Sequence, residues 1–381
     1  MNILFVNTTC GVGSHGRICG EFAEKFEKEG NHCKIAYGRG CSEKYAKFGH
    51  RIGGKLNIYE DVLKTRLFDN HGLNSYSATK NFLKWADAFE PDLLWLHNIH
   101  GYYINYELLF NWIKSKSKLK VRWTLHDCWA FTGHCAFFTM AKCEEWKKEC
   151  CNCPLKKDYP GSLFADRSSQ NYRQKKNAFT GVSDLTLITP SQWLADLVQE
   201  SFLRDYPVEV RYNTIDTNIF KPTSSDFRKR FGLEKKIVIL GVANVWHKRK
   251  GLDDFIELTK MLDDRFVVVL VGLTNKQIRQ LPSGILGLTK TNNPGELAQI
   301  YSTADVYVNP SKEETFGMTT IEAESCGTPA IVYQQTACEE IVKKTTGIAV
   351  PQDVNCLYDE IMKRYPTERR EQSIYDHSPQ N

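Results

Sequence analysis

Residues 306–329 read VYVNPSKEETFGMTTIEAESCGTP. The run from Val306 to Pro310 has the β-branched and aromatic content of a buried strand. A polar loop follows, and a helical pattern opens near Gly317. Strand, loop and helix in that order form the repeating unit of a parallel α/β sheet. Two carboxylates frame the loop. Glu314 lies at the mouth of the helix. Glu322, just over two turns further on, falls on nearly the same face. The first N–H groups of such a helix, at Phe316, Gly317 and Met318, lack partners within the helix and attract a phosphate. Backbone for a phosphate and carboxylates for hydroxyls suit a sugar nucleotide. Without a ligand, the same residues read as a capping acid and one exposed acid.

The pattern extends outward in both directions. Strand-like runs at 3–7, 33–37, 93–97, 121–126 and 185–190 alternate with helical patterns at 16–29, 75–89 and 106–117. The segment VEVRYNTIDTNIFKP (208–222) breaks this alternation with turn formers and a proline. A second set of strands follows at 236–244, 266–272, 285–289, 306–310 and 329–333, with helices at 252–263, 294–302 and 317–326. The expected fold is α/β: two doubly wound, Rossmann-like domains, 1–212 and 213–381. The first carries a Cys-rich and aromatic-rich insertion, 127–183, expected as loop and short helices. Open α/β sheets bind ligands at the carboxyl ends of their strands, so a cleft between the two domains is the expected substrate site.

At the N-terminus, CGVGSHGRI (10–18) follows a strand-like run and spaces Gly11, Gly13 and Gly16 as G-x-G-x-x-G. This spacing allows a dinucleotide site. The acid expected about 20 residues on is missing, because the next strand ends in Tyr37, Gly38 and Arg39. An NAD(P)-dependent oxidoreductase, with Arg39 suited to a 2′-phosphate, and a tight turn with no ligand are the competing readings.

Composition narrows the class. Hydrophobic content of 41% and charge of 25% are ordinary for a globular chain. No run of about 18 apolar residues predicts a membrane span, and no signal-peptide pattern opens the sequence, so a cytoplasmic location is expected. Residues 1–190 hold 27 Lys+Arg against 19 Asp+Glu, a surplus of 8, so the first half is the side suited to an anionic membrane surface. No nucleic-acid motif accompanies that charge. Among 13 cysteines, Cys135, Cys143, Cys150 and Cys153 have spacings that allow a structural zinc site, with plain reduced or partly disulfide-linked thiols as the alternative. No Asp-x-Asp metal–diphosphate motif is present.

PSKEETFGMTTIEAESCGTP resembles the P-S-x-x-E-x-F-G-x-x-x-x-E-A-x-x-x-G-x-P signature of GT-B glycosyltransferases of family 4. GVANVWHKRKGLDDFIEL resembles that family's Lys-Gly segment, and YNTIDTNIFKP its interdomain linker. LHDCWAFTGHCAFF with CCNCP is similar to the subgroup that includes colanic acid and other surface-polysaccharide transferases. The resemblance implies a retaining hexosyltransferase that uses a UDP- or GDP-sugar, needs no catalytic metal or other cofactor, and acts on a glycan or lipid-linked glycan acceptor. In that mechanism the leaving phosphate assists deprotonation of the acceptor. Glu314 would contact hexose hydroxyls, Glu322 the ribose, Lys250 the diphosphate, and Gly16 would admit diphosphate and sugar. His126 would face sugar and acceptor, with His97, His100 and Trp129 on the acceptor side. Two departures stand out. Val242, Ala243 and Asn244 occupy the stretch where the family places an arginine, leaving Arg249 as the candidate substitute. The chain also stops at IYDHSPQN, where a helix returning to the first domain is expected. A non-catalytic sugar-nucleotide-binding or scaffold protein of the same fold is the alternative.

Overall fold

The structure is a computed structural model and describes Met1–Pro366; the expected returning helix lies outside the described residues. The chain divides into two compact units. One is Met1–Thr214 together with Glu313–Gly317; the other is Ile215–Lys312 and the chain from Met318 on.

The first unit is built on seven strands: β1 (Asn2–Asn7), β2 (His32–Tyr37), β3 (Gly49–Arg51), β4 (Leu93–Leu96), β5 (Lys120–Thr124), β6 (Leu185–Thr189) and β7 (Val208–Val210). They form one sheet in the order β3-β2-β1-β4-β5-β6-β7, and every pair is parallel. Parallel sheets need both faces covered, which is why the central strands are continuous apolar runs. Leu4, Val6, Leu94 and Leu96 enter one core, and Ile3, Phe5 and Trp95 the other. The order reverses between β1 and β4, opening a crevice at their carboxyl ends.

The second unit repeats the plan with β8 (Ile237–Val242), β9 (Phe266–Val271), β10 (Ile285–Leu288), β11 (Val306–Asn309), β12 (Ala330–Tyr333) and β13 (Ile348–Val350). Its order is β10-β9-β8-β11-β12-β13. The switch point here lies between β8 and β11, at Val242 and Asn309.

Both sheets carry edge strands outside the expected set: β3, β7 and β13, each of three residues. Val208–Val210 is such an edge, so the break in the pattern begins at Arg211. Within the insertion, Ser168–Phe179 is a helix of 12 residues, longer than the short helices expected. Helices at Lys55–Phe68, Gln192–Gln199 and Val354–Arg364 are further additions. No described helix is long and apolar enough to cross a membrane.

Candidate active site

In the first unit, the crevice at the ends of β1, β4 and β5 is lined with histidines. His97 follows β4 and His126 follows β5, and their rings meet at 2.9 Å, Nδ1 to Nε2. His15, in the first turn of the helix Gly13–Lys28, packs on His126 with ring centroids 4.2 Å apart. The Asn98 amide donates to His15 Nδ1 at 2.8 Å. Nε2 of His97 is buried without a hydrogen-bond partner. A bare buried acceptor is better tolerated than a bare N–H. The His97 proton therefore sits on Nδ1 and is donated to His126 Nε2, and His126 carries its own proton on Nδ1.

Electrostatics keep this cluster uncharged. Burial holds His15 at about 4 and His97 at about 3. Burial, with the neighbouring His15, His97 and His100, pushes His126 well below the usual imidazole value. Asp127 is the counterweight. Burial opposes its charge, but His100 and the Trp129 N–H outweigh that and keep its carboxyl below the usual range. Asp127 Oδ2 lies 3.0 Å from His100 Nε2. His100 Nδ1 is 2.9 Å from the Tyr159 hydroxyl and so accepts from it. The arrangement offers fixed N–H and O–H groups in a desolvated crevice, where preorganised dipoles act most strongly.

Glycines shape the opposite wall. A Cβ on Gly16 would lie 2.5 Å from Thr9 Oγ1. The chain's own packing therefore already excludes a side chain at Gly16. At Gly13 the backbone is left-handed (φ +68°) and a Cβ would meet nothing within 4 Å, so the open space lies there. Trp129 is a correction to the acceptor-side reading. It is buried, its N–H donates to Asp127, and the Lys175 ammonium lies 3.6 Å from its ring centroid. It belongs to the core beneath the crevice and cannot line an acceptor path.

The loop piece grouped with this unit adds Glu314, Phe316 and Gly317. The Thr315 hydroxyl donates to the His126 carbonyl at 2.9 Å, and Phe316 packs near Tyr212 with ring centroids 6.0 Å apart. Gly317 has φ +91°. That left-handed turn starts the helix Met318–Ser325, one residue later than the pattern indicates.

In the second unit the switch point is cationic. After β8 the exposed Asn244 leads to a single 3₁₀ turn, Lys248–Lys250. Gly251 closes that turn at φ +73°, where a Cβ would lie 2.4 Å from the Pro310 carbonyl. The Lys312 N–H donates to the Arg249 carbonyl at 2.9 Å. Arg249 and Lys250 are thus fixed against the loop that leaves β11. About one turn into the following helix, Glu322 is buried and accepts from the Tyr301 hydroxyl at 3.1 Å. Asn309, Ser311 and Thr320 hold the start of the loop by hydrogen bonds of 2.6 Å (Ser311 to Asn309) and 3.0 Å (Asn309 to Thr320).

A family model described as glycosyl transferases group 1 matches residues 235–365, the segment that contains this turn and loop. Residues 235–365 are a group 1 glycosyl transferase domain. Over 367 residues the chain is 23% identical to the putative colanic acid biosynthesis glycosyl transferase WcaC of Escherichia coli (strain K12), covering 93% of this chain and 88% of that protein. It is 29% identical over 122 residues, 30% of this chain and 31% of the other, to the N,N'-diacetylbacillosaminyl-diphospho-undecaprenol alpha-1,3-N-acetylgalactosaminyltransferase of Campylobacter jejuni. Among solved structures, sucrose-phosphate synthase from Thermosynechococcus elongatus matches with a TM-score of 0.67 at 17% identity, over 96% of this chain and 89% of that one. The fold is GT-B, as in that structure.

Zinc and plain thiols are the two readings of the insertion's four cysteines. Among the described residues, no three His, Cys, Asp or Glu side chains are grouped as metal ligands. The four thiols are otherwise engaged. Cys135 and Cys153 hydrogen-bond to each other, which draws Cys153 down to about 7 and Cys135 well up. Cys150 accepts from the Gly133 N–H at 3.1 Å. Cys143 lies beside the insertion's aromatic core, its carbonyl accepting from Trp146 Nε1. His15, Asp127 and Tyr159 were not singled out from the sequence. Only Asp127, next to His126, carried a signal there.

Proposed function

We propose that the chain transfers a hexose, with retention, from a UDP- or GDP-sugar to a glycan or lipid-linked glycan precursor of a surface polysaccharide, at the cytoplasmic face of a membrane. The observation that carries this reading is the fixing of Arg249 and Lys250 against the loop after β11, inside the family-matched segment. A departing nucleoside diphosphate needs fixed cations or a metal to hold its charge, and this turn supplies cations. Glu322 is assigned to the ribose, Glu314 to hexose hydroxyls, and the N–H groups of Gly317 and Met318 to phosphate oxygens. Asn244 borders the same turn. His126 presents Nδ1–H to the sugar and acceptor, with His97 and His100 behind it. The acceptor class is supported by the likeness to a colanic acid transferase and to one named for a diphospho-undecaprenol-linked sugar.

The test is a thermal-shift screen with UDP, GDP and their sugars, followed by transfer assays with and without EDTA. One nucleotide series should raise the melting temperature, and transfer should persist in EDTA. Stabilisation by NADP(H) alone, or a rapid loss of transfer in EDTA that Mg²⁺ or Mn²⁺ restores, rejects the reading.

A further inference from the structure

Helix Lys55–Phe68 is built inside out. Its buried positions are Asp61 and Thr65. Asp61 accepts from Ser75 at 2.5 Å, from Asn74 at 3.1 Å and from Thr65 at 3.2 Å. The apolar side faces outward: Leu56, Tyr59 and Leu63 are 83%, 70% and 59% exposed. Their spacing of three and four residues makes one stripe along the helix. At the last turn the Leu163 N–H donates to the Arg66 carbonyl at 2.8 Å, which adds Leu163 and Phe164, 60% and 74% exposed.

Cations border this apolar surface. Arg66 lies over Gly161, Lys156 donates to the Phe164 carbonyl at 3.3 Å, and Lys55 and Lys157 are exposed. Of the nearby acids, Glu60 is paired with Lys64, Asp61 is buried, and Asp158 is exposed. The balance is positive. Exposed apolar side chains ringed by cations suit an anionic lipid interface. A second copy of the chain fits less well, because a two-fold contact would bring like charges together. The surface is also continuous with the crevice: two residues before Gly161, Tyr159 bonds His100.

We propose that the stripe of helix 55–68, with Leu163 and Phe164, docks the protein on an anionic lipid bilayer. This rests on the proposed function only in giving the docking a purpose, delivery of a lipid-linked acceptor beside Tyr159 and His100. The insertion's Trp129, Phe131, Phe138 and Trp146 are buried and cannot reach lipid.

The test is co-sedimentation of the full chain with vesicles of phosphatidylglycerol and phosphatidylcholine, against phosphatidylcholine alone, at low and high salt. Binding should require the anionic lipid and weaken with salt. The double variant Leu63→Glu, Phe164→Glu should bind at least about tenfold more weakly, since two apolar side chains leave the interface. Its melting temperature and its nucleotide-induced shift should be unchanged, because both positions are exposed. Equal binding by parent and variant, or equal binding to both vesicle types, overturns the proposal. So does a parent that ignores vesicles but forms a dimer which the variant dissolves. Vesicle binding is read without donor or acceptor. Failure of the transferase reading would leave it intact, and failure here would leave nucleotide binding intact.

Discussion

The two switch points share a topology and differ in charge. The one between β1 and β4 is a desolvated crevice of neutral imidazoles, with Asp127 as its one paired carboxylate. The one between β8 and β11 carries Lys248, Arg249 and Lys250 on a short turn that none of the three buries. Buried groups change protonation in order to avoid charge, whereas partly solvated cations keep theirs. One crevice is thereby suited to fixed hydrogen bonds and the other to holding an anion. The same Rossmann plan supports both because the chemistry resides in the loops.

The comparison breaks first at the cationic turn. Lys250→Ala and Glu314→Gln should each lower turnover by on the order of 100-fold, with melting temperature unchanged. Steady-state transfer rates for both variants check this, and near-parental rates would remove the donor assignment. The neutral crevice is probed by acid. A histidine held below its unfolded value of about 6.5 contributes stability that is present above that pH and lost as pH falls toward the folded value. For His97 that window runs from about 6.5 down to about 3, at about 1.4 kcal/mol per pH unit. Denaturant melts between pH 6.5 and 4.5 should show a shallower loss in His97→Phe than in the parent. Equal slopes would mean that His97 is not held neutral.

The last test concerns Lys175, buried beneath the crevice. Its ammonium donates to the Trp129 and Thr132 carbonyls at 2.8 and 3.0 Å, yet burial lowers it to about 7. Between about pH 7 and its unfolded value the unfolded chain holds the extra proton, so stability rises with pH in that window. Lys175→Met should be less stable at pH 8.5, by about 1–3 kcal/mol for two unsatisfied carbonyls. It should also lose the gain of about 1.4 kcal/mol per pH unit that the parent shows above pH 7. Melts at pH 7, 8 and 9 decide this.

Much of this architecture is legible in the sequence, for identifiable reasons. The central strands are unbroken Val/Ile/Leu runs because both faces are buried, and the helices at 76–89 and 252–261 bury one apolar side. The edge strands β3, β7 and β13 are too short to show a period. Helix 55–68 was illegible because Asp61 and Thr65 face inward, so its apolar spacing reads as surface. The loop 310–322 was readable because its carboxylates and glycine sit close in sequence. The His15–His126–His97 contact was not, because it joins residues from the ends of three strands. Gly16 is limited on similar grounds: spacing reveals that a side chain is excluded, but not whether Thr9, a ligand or both exclude it.

Helix 55–68 has a consequence for exchange with solvent. Its attachment is a cluster of hydrogen bonds around Asp61 in place of a broad apolar face, and local opening costs least where little apolar surface is buried. Its backbone amides should trade hydrogen for deuterium well before those of β1 and β4. Vesicles of phosphatidylglycerol should slow that trade in this helix and in residues 163–164, and leave β8 and β11 untouched. The element with the weakest hold on its own protein is thus the one whose protection should change most when a surface is offered to it.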